Sequence, residues 1–175
     1  MTLITTSSGT NQTAMTFDSG IDSTYRLYIF KFIDINPATD AAELSFQFNV
    51  AGGADYDETL NTTVFRSSHW EADDYAAIQY MSGIDQANGT GFQFFTEEQG
   101  NGADESLAGE MHLFNPSNTT FVKQFNTRTS TYVSNNGVQE TYVAGYVNTT
   151  AAVDDVQFKM SSGNFDGTIK LYGVK

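Results

Sequence analysis

The side chains with the most evident chemical potential are the single tryptophan and the histidine beside it. His69 and Trp70 lie in the segment SSHWEADD, which also contains three acids. An aromatic ring can stack on a sugar while nearby carboxylates bind its hydroxyl groups, so Trp70 is a candidate carbohydrate contact. Packing in the core or at an interface is the alternative. Phe92, Phe94 and Phe95 form a second aromatic cluster that could serve the same purpose.

Two small groups of residues could ligate a metal. Glu110 and His112 are two positions apart in LAGEMHLF, so they share one face of a strand and form either a metal pair or part of a polar cross-strand row. Asp55, Asp57 and Glu58 in the turn GGADYDET could supply oxygens to calcium, or could be ordinary turn acids, because the residue order of an EF-hand loop is missing. We expect no cofactor, with calcium at these three acids as the named alternative.

Motifs typical of enzymes are absent from the chain. It contains no HExxH, no GxSxG, no P-loop and no GxGxxG. Hydrolysis of a glycoside needs two carboxylates across a cleft, and the 21 acids single out no such pair. We therefore predict a protein that is not an enzyme and has no catalytic residues.

The charge of the chain is strongly negative and unevenly distributed. The formal net charge is −13, and residues 67–122 contain nine acids but no lysine or arginine. Nucleic acids bind through Lys and Arg, so we expect no nucleic-acid partner. The acidic segment is either a solvated surface or a site for a cation or a basic partner.

The elements that must position these residues are strands. Residues 25–33 have aromatic or aliphatic side chains on both faces, which predicts a central strand covered on both sides, with residues 43–50 as its partner. Apolar and polar side chains alternate along residues 43–50, which predicts a strand with one buried and one solvent-exposed face. Its apolar positions are Leu44, Phe46, Phe48 and Val50, and its polar positions are Ser45, Gln47 and Asn49.

About ten such strands, separated by Asn, Gly and Pro turn signals, cover the chain. Their spacing predicts an all-β fold with a single antiparallel β-sandwich domain over residues 1–175, jelly-roll-like, in which residues 82–106 form a long acidic loop excursion. The chain has no cysteine, so packing and hydrogen bonds must stabilise the fold. No apolar run is long enough to cross a membrane, and we expect no membrane partner.

Three segments of the sequence together resemble a known group of proteins. They are FDSGIDSTYRLYIFKF at 17–32, NPATDAAELSFQFN at 36–49 and SSGNFDGTIKLYGVK at 161–175. The set resembles β-sandwich virion structural proteins, either capsid decoration or tail-associated proteins, of tailed marine bacteriophages. The resemblance implies a scaffold and a place on a phage particle, and it transfers no catalytic or binding residue.

The resemblance implies a non-enzymatic capsid decoration or cement protein on the outer shell of the virion. The implied partners are the phage major capsid protein or other virion proteins, with a homo-oligomer, such as a trimer, as the expected assembly. The alternative is a carbohydrate-binding adhesion module of a tail or head fibre. The candidate interface or ligand residues are Tyr28, Trp70, Tyr80, Phe92, Phe94 and Tyr172.

Overall fold

The computed structural model describes residues 1–175 and consists of strands and connecting turns, without a helix. The predicted all-β class is confirmed, and three strands of two or three residues bring the number of strands to thirteen. No helix of the structure could span a membrane. The strands are β1 (Thr2–Gln12), β2 (Met15–Phe17), β3 (Leu27–Pro37), β4 (Leu44–Val50), β5 (Leu60–Trp70), β6 (Ala76–Tyr80), β7 (Ala87–Gly89), β8 (Gln93–Phe94), β9 (Leu107–Phe114), β10 (Lys123–Val133), β11 (Gly137–Val147), β12 (Val153–Met160) and β13 (Phe165–Val174).

The strands form two antiparallel sheets of unequal size. The large sheet has the order β1-β13-β3-β9-β10-β11-β5-β6, with β7 also paired to β5, and the small sheet has the order β2-β12-β4-β8. The chain changes sheet between consecutive strands from β1 to β5, from β7 to β9 and from β11 to β13. One cluster of 27 buried residues, drawn from both sheets, lies between them. The predicted sandwich is therefore confirmed.

Aromatic rings dominate this core. The ring of Phe158 on β12 contacts four others, and the centroid distances are 5.2 Å to Phe30, 5.3 Å to Phe32, 5.9 Å to Phe17 and 6.1 Å to Phe95. Most of these contacts are edge-to-face, the arrangement that aromatic quadrupoles favour. Phe158 therefore joins the small sheet to β3 of the large one.

The predicted pairing of β3 with β4 is wrong. β3 pairs with β13 and β9 in the large sheet, whereas β4 pairs with β12 and β8 in the small sheet. The two strands follow each other in the chain but face each other across the core, because both carry apolar side chains that the sandwich buries between its sheets. β3 is central in its sheet, but the face turned away from the core is partly open, as the exposure of Ile33 shows.

The polar face of β4 is buried, contrary to the prediction that it is wet. Ser45, Gln47 and Asn49 are as inaccessible to solvent as the phenylalanines between them. The Gln47 amide nitrogen donates hydrogen bonds of 3.1, 3.1 and 2.9 Å to the carbonyl oxygens of Glu58, Thr90 and Gly91. The loop before β5 and the loop after β7 therefore cover this face, and the Gln47 amide donates hydrogen bonds to their backbone.

The acidic segment 82–106 is not a free excursion from the sandwich. It contains β7 and β8, and isolated bridges connect Gln99 with both Ala42 and Val133. Phe95, Thr96 and Gln99 are fully buried. The small sheet has four strands and the large sheet nine, so this segment covers part of the inner face of the large sheet that the small sheet leaves uncovered.

The inner face under this cover is polar. Gln139 on β11 lies opposite Ser68 on β5 and Thr131 on β10, and all three are buried. Neither amide atom of Gln139 has a hydrogen-bond partner in the protein, and the hydroxyl groups of Ser68 and Thr131 have none either. Burial without partners is costly, so this part of the interior stabilises the fold less than the aromatic core does.

Candidate functional site

One row of side chains crosses the outer face of the large sheet, which is the face turned away from the small sheet. The register of the strands aligns one outward-facing residue from each of seven neighbouring strands, and the row changes from charged to aromatic along its length. In spatial order the row consists of Lys170, Lys31, Glu110, Arg128, Tyr142, Phe65 and Tyr80.

Glu110 is the centre of the charged half of the row. Lys31 donates a hydrogen bond to one oxygen of the Glu110 carboxylate, and His112 Nε2 lies 3.2 Å from the other oxygen. The hydrogen bond from Lys31, together with its positive charge, holds the pKa of Glu110 below its usual range. The Glu110 and His112 pair thus belongs to a polar cross-strand row, which was one of the two sequence-based alternatives.

The lowered pKa of Glu110 predicts a pH-dependent effect of Glu110→Gln. A carboxylate whose pKa is lower in the folded than in the unfolded protein stabilises the folded state at pH values above its unfolded pKa. This contribution is lost as the pH falls through the folded pKa. The variant should therefore be less stable than the wild type near pH 7, by under about 1 kcal/mol because the pair is partly exposed, and the difference should vanish well below about pH 4.

Urea denaturation at a series of pH values tests this prediction. Asp40→Asn is the matched control, since Asp40 is exposed and makes no ion pair. A difference between Glu110→Gln and the wild type that did not depend on pH would contradict the ion-pair argument.

Arg128 connects the charged half of the row to the aromatic half. Its Nε donates to Glu140 on the neighbouring strand, and its guanidinium carbon lies 5.8 Å from the centroid of the Tyr142 ring. A shallow depression of about 390 Å³ lies along Arg128, and it is lined in part by Phe65 and Tyr142. The arrangement offers aromatic rings beside a cation and carboxylates.

The aromatic half continues into an exposed apolar area, which we call the apolar corner and define as Phe65, Ile78, Tyr80 and Val138. The Phe65 ring stacks on Tyr142 with a centroid distance of 4.8 Å and an angle of 9° between planes. The corner residues are 46%, 82%, 57% and 48% exposed, in the order given. Neighbouring exposed apolar groups of this kind typically mark a contact with another molecule.

Trp70 does not belong to this row. It lies on the inward-facing side of β5, where its indole stacks on Tyr75 with a centroid distance of 5.0 Å. Its ring also lies directly over Gly137, the residue opposite it on β11, where any side chain would collide with the indole. The indole is therefore used in packing within the protein, which was the alternative to a sugar platform.

The three tyrosines that were predicted to lie outside the core have different environments in the structure. The prediction is wrong for Tyr28, which is fully buried and whose hydroxyl group donates to the Asp22 carbonyl oxygen at 2.9 Å. Its neighbours Ile29 and Lys31 occupy the outward side of β3 instead. Tyr172 is half-buried on the outer face of β13, and Tyr80 is exposed.

The aromatic cluster of residues 92–95 does not form one groove. The Lys159 ammonium lies 3.8 Å from the centre of the Phe92 ring, Phe94 is half-buried in β8, and Phe95 is buried against Phe46 at a centroid distance of 4.7 Å. The cluster is thus divided between the surface and the core.

The three acids considered for calcium lie in the turn between β4 and β5. Asp55 and Asp57 are exposed, whereas Glu58 is partly buried and this burial raises its pKa. The structure contains no group of three or more His, Cys, Asp or Glu side chains arranged to hold a metal ion. Calcium binding by this turn stays a prediction.

The outer row and the apolar corner escaped prediction because they join residues that are far apart in the sequence. Alternation within β5 and β11 does place Phe65 and Tyr142 on the faces opposite the core, so part of the signal was present. The register that sets them side by side is visible only in the folded sheet.

Comparison with known proteins does not assign the chain to a family. No protein-family model matches it, and no curated protein is significantly similar in sequence.

Proposed function

We propose that this protein is a non-enzymatic structural component of a bacteriophage particle and decorates the outer surface of the capsid. The resemblance of the two ends of the chain to phage virion proteins supports the proposal. The segments that carry it fall on β3, β4 and β13, which form much of the sandwich core. They describe a scaffold, so the function must depend on the surface that the scaffold presents.

The observation that carries the proposal is the apolar corner of the large sheet. Phe65 lies opposite Tyr80 and Ile78 follows on the same face of β6, while Val138 lies opposite His69 at the margin of the corner. The other half of the outer row is charged. Burying such groups against a protein surface is favourable, at roughly 25 cal/mol per Å² of apolar area. A shell built from many copies of the phage major capsid protein offers that surface repeatedly, and a homo-oligomer such as a trimer would match the symmetry of the shell.

A second candidate function is supported by the depression beside Arg128. Its lining combines the Phe65 and Tyr142 rings with Glu110 and Asn126, and carbohydrate sites combine aromatic rings with carboxylates and amides. In this alternative the protein is a carbohydrate-binding adhesion module of a tail or head fibre. The ligand platform would then be on the outer face of the large sheet and not at Trp70.

Quantitative mass spectrometry of purified particles, combined with an add-back assay, tests the first proposal. We expect hundreds of copies per particle and binding of the purified protein to particles that lack it. Phe65→Ser should weaken this binding by about tenfold or more, because it removes a central apolar contact. Phe121→Ser is the matched control, since Phe121 is 68% exposed but lies outside the apolar corner.

A handful of copies confined to the tail fraction would contradict capsid decoration. Binding on a glycan array that is lost in Phe65→Ser, without binding to particles, would favour the second candidate. Equal binding of both serine variants to particles would show that another surface makes the contact. Thermal denaturation of each variant shows whether it is folded in these assays.

A further inference from the structure

The last strand of the large sheet, β6, has a free edge. The hydrogen bonds from Trp70 N–H to Tyr75 O and from Met81 N–H to Val64 O show that the odd-numbered residues of this segment face β5. In an antiparallel ladder the backbone groups alternate in direction, so the N–H and C=O groups of Ala76, Ile78 and Tyr80 face away from β5. No strand lies on that side of β6.

The opposite edge of the sheet is built differently. β1 pairs with β13 through a register that is interrupted twice, and its side chains are mostly hydroxyl-bearing. Irregular pairing of this kind protects an edge against unwanted strand addition. β6 pairs with β5 without interruption, and its outward side chains include Ile78 and Tyr80 of the apolar corner. Of the two edges, β6 is therefore the one suited to receive another strand.

Acidic residues flank β6 at both ends. Glu71, Asp73 and Asp74 precede it, and Asp85 follows it and accepts a hydrogen bond of 2.5 Å from the Tyr80 hydroxyl group. No lysine or arginine occurs between positions 67 and 122, and Arg66, which lies opposite Gln79 of β6, is paired with Glu97. A strand that adds to β6 would lie between two negative ends, so opposite charge would stabilise it and like charge would repel it.

The same charges disfavour a second copy of this chain as the added strand. Two β6 strands related by a two-fold axis pair antiparallel, which sets the end with Asp73 and Asp74 of one copy against the end with Asp85 of the other. Acidic groups would then face each other at both ends of the contact. The charge pattern fits a different, basic partner.

We propose that β6 is the docking edge for an extended segment of another protein that carries lysine or arginine at its ends and apolar side chains between them. The segment adds to the large sheet as an extra strand and packs its apolar side chains on the apolar corner. Only the identification of this partner as another virion protein rests on the proposed function. The edge, its apolar side chains and its charge are properties of the chain itself.

Amide hydrogen exchange with a synthetic peptide tests this proposal. The probe is a short peptide of alternating valine and threonine with lysines at both ends, and the control peptide has glutamates in place of the lysines. We expect the lysine peptide at saturation to slow exchange of the Ala76, Ile78 and Tyr80 amides by about tenfold or more, and raising salt to about 0.5 M to weaken its binding. The glutamate peptide should leave these amides unchanged.

Two variants locate the contact. Ile78→Lys should abolish the protection, because it removes the apolar contact and adds a charge that repels the peptide. Leu3→Lys is the matched control, since Leu3 is 51% exposed on the opposite edge strand and should leave the protection intact.

Unchanged exchange at high concentrations of lysine peptide, equal protection by both peptides, or protection of β1 instead would each overturn the proposal. A dimer detected by sedimentation, with β6 amides that are already protected without peptide, would also overturn the proposal. The particle assay above is independent of these results. Binding to particles without protection by the peptide would support the proposed function and reject the docking edge. Protection by the peptide without binding to particles would support the docking edge and reject the proposed function.

Discussion

Phe158→Ala is expected to lower the free energy of unfolding by about 3–5 kcal/mol. Phe158 is completely buried and contacts rings from β2, from β3 and from the segment after β8. Truncation removes the apolar area of the ring and leaves a cavity that neighbouring rings from two different sheets cannot fill together. Because domains are typically stable by only 5–15 kcal/mol, as an order of magnitude, the loss is a large fraction of the total.

Urea denaturation followed by the fluorescence of Trp70 measures this loss, provided that the variant and the wild type have the same dependence on urea. Phe121→Ala is the matched control, because Phe121 lies in an exposed loop and its truncation should change the stability by less than about 0.5 kcal/mol. A loss below about 1 kcal/mol in Phe158→Ala would contradict the assignment of this ring to the centre of the core.

Gln47→Met is expected to destabilise the protein by about 3 kcal/mol or more. Methionine has a similar length, so the change removes hydrogen bonds with little change of volume. It leaves the carbonyl oxygens of Glu58, Thr90 and Gly91 without the donor they share, and the Phe48 N–H without the Gln47 oxygen that accepts its hydrogen bond. Each buried polar group that loses its partner costs about 1–3 kcal/mol, although some of these groups regain water.

Gln139→Met is the matched control for this prediction. Gln139 is also fully buried, but neither of its amide atoms has a hydrogen-bond partner in the protein. Replacement by methionine therefore orphans no other group, and we expect a change within about 1 kcal/mol, towards greater stability. Thermal and urea denaturation of the two variants side by side test the argument. An equal loss of stability in both variants would contradict it.

The comparison of β4 with its prediction shows how far alternation can be trusted. The period of two from Leu44 to Val50 correctly predicts a strand and correctly places Phe46 and Phe48 in the core. It cannot show that the polar face is covered as well, because Gln47 is equally compatible with water and with backbone carbonyl groups as partners. Loops from elsewhere in the chain decide between the two.

The candidate site depends still more on tertiary structure. The outer row draws on seven strands, and its paired residues Lys31 and Lys170 are 139 positions apart in the chain. No local pattern connects Phe65 with Tyr142 or Lys31 with Glu110. The burial of Tyr28 makes the same point, since both faces of β3 carry large side chains and its sequence does not say which face turns inward.

The sequence by itself determined the all-β class, the two-sheet sandwich and the place of Phe46 and Phe48 in its aromatic core, because side-chain period and turn residues act locally. It also determined the acidic, base-free segment that flanks β6. Only the tertiary structure decided which strands pair, which polar groups are buried with partners, and where the free edge and the apolar corner lie. Strand pairing brings together residues distant in the chain, and the free energy that selects one pairing over another comes from contacts that exist only after folding.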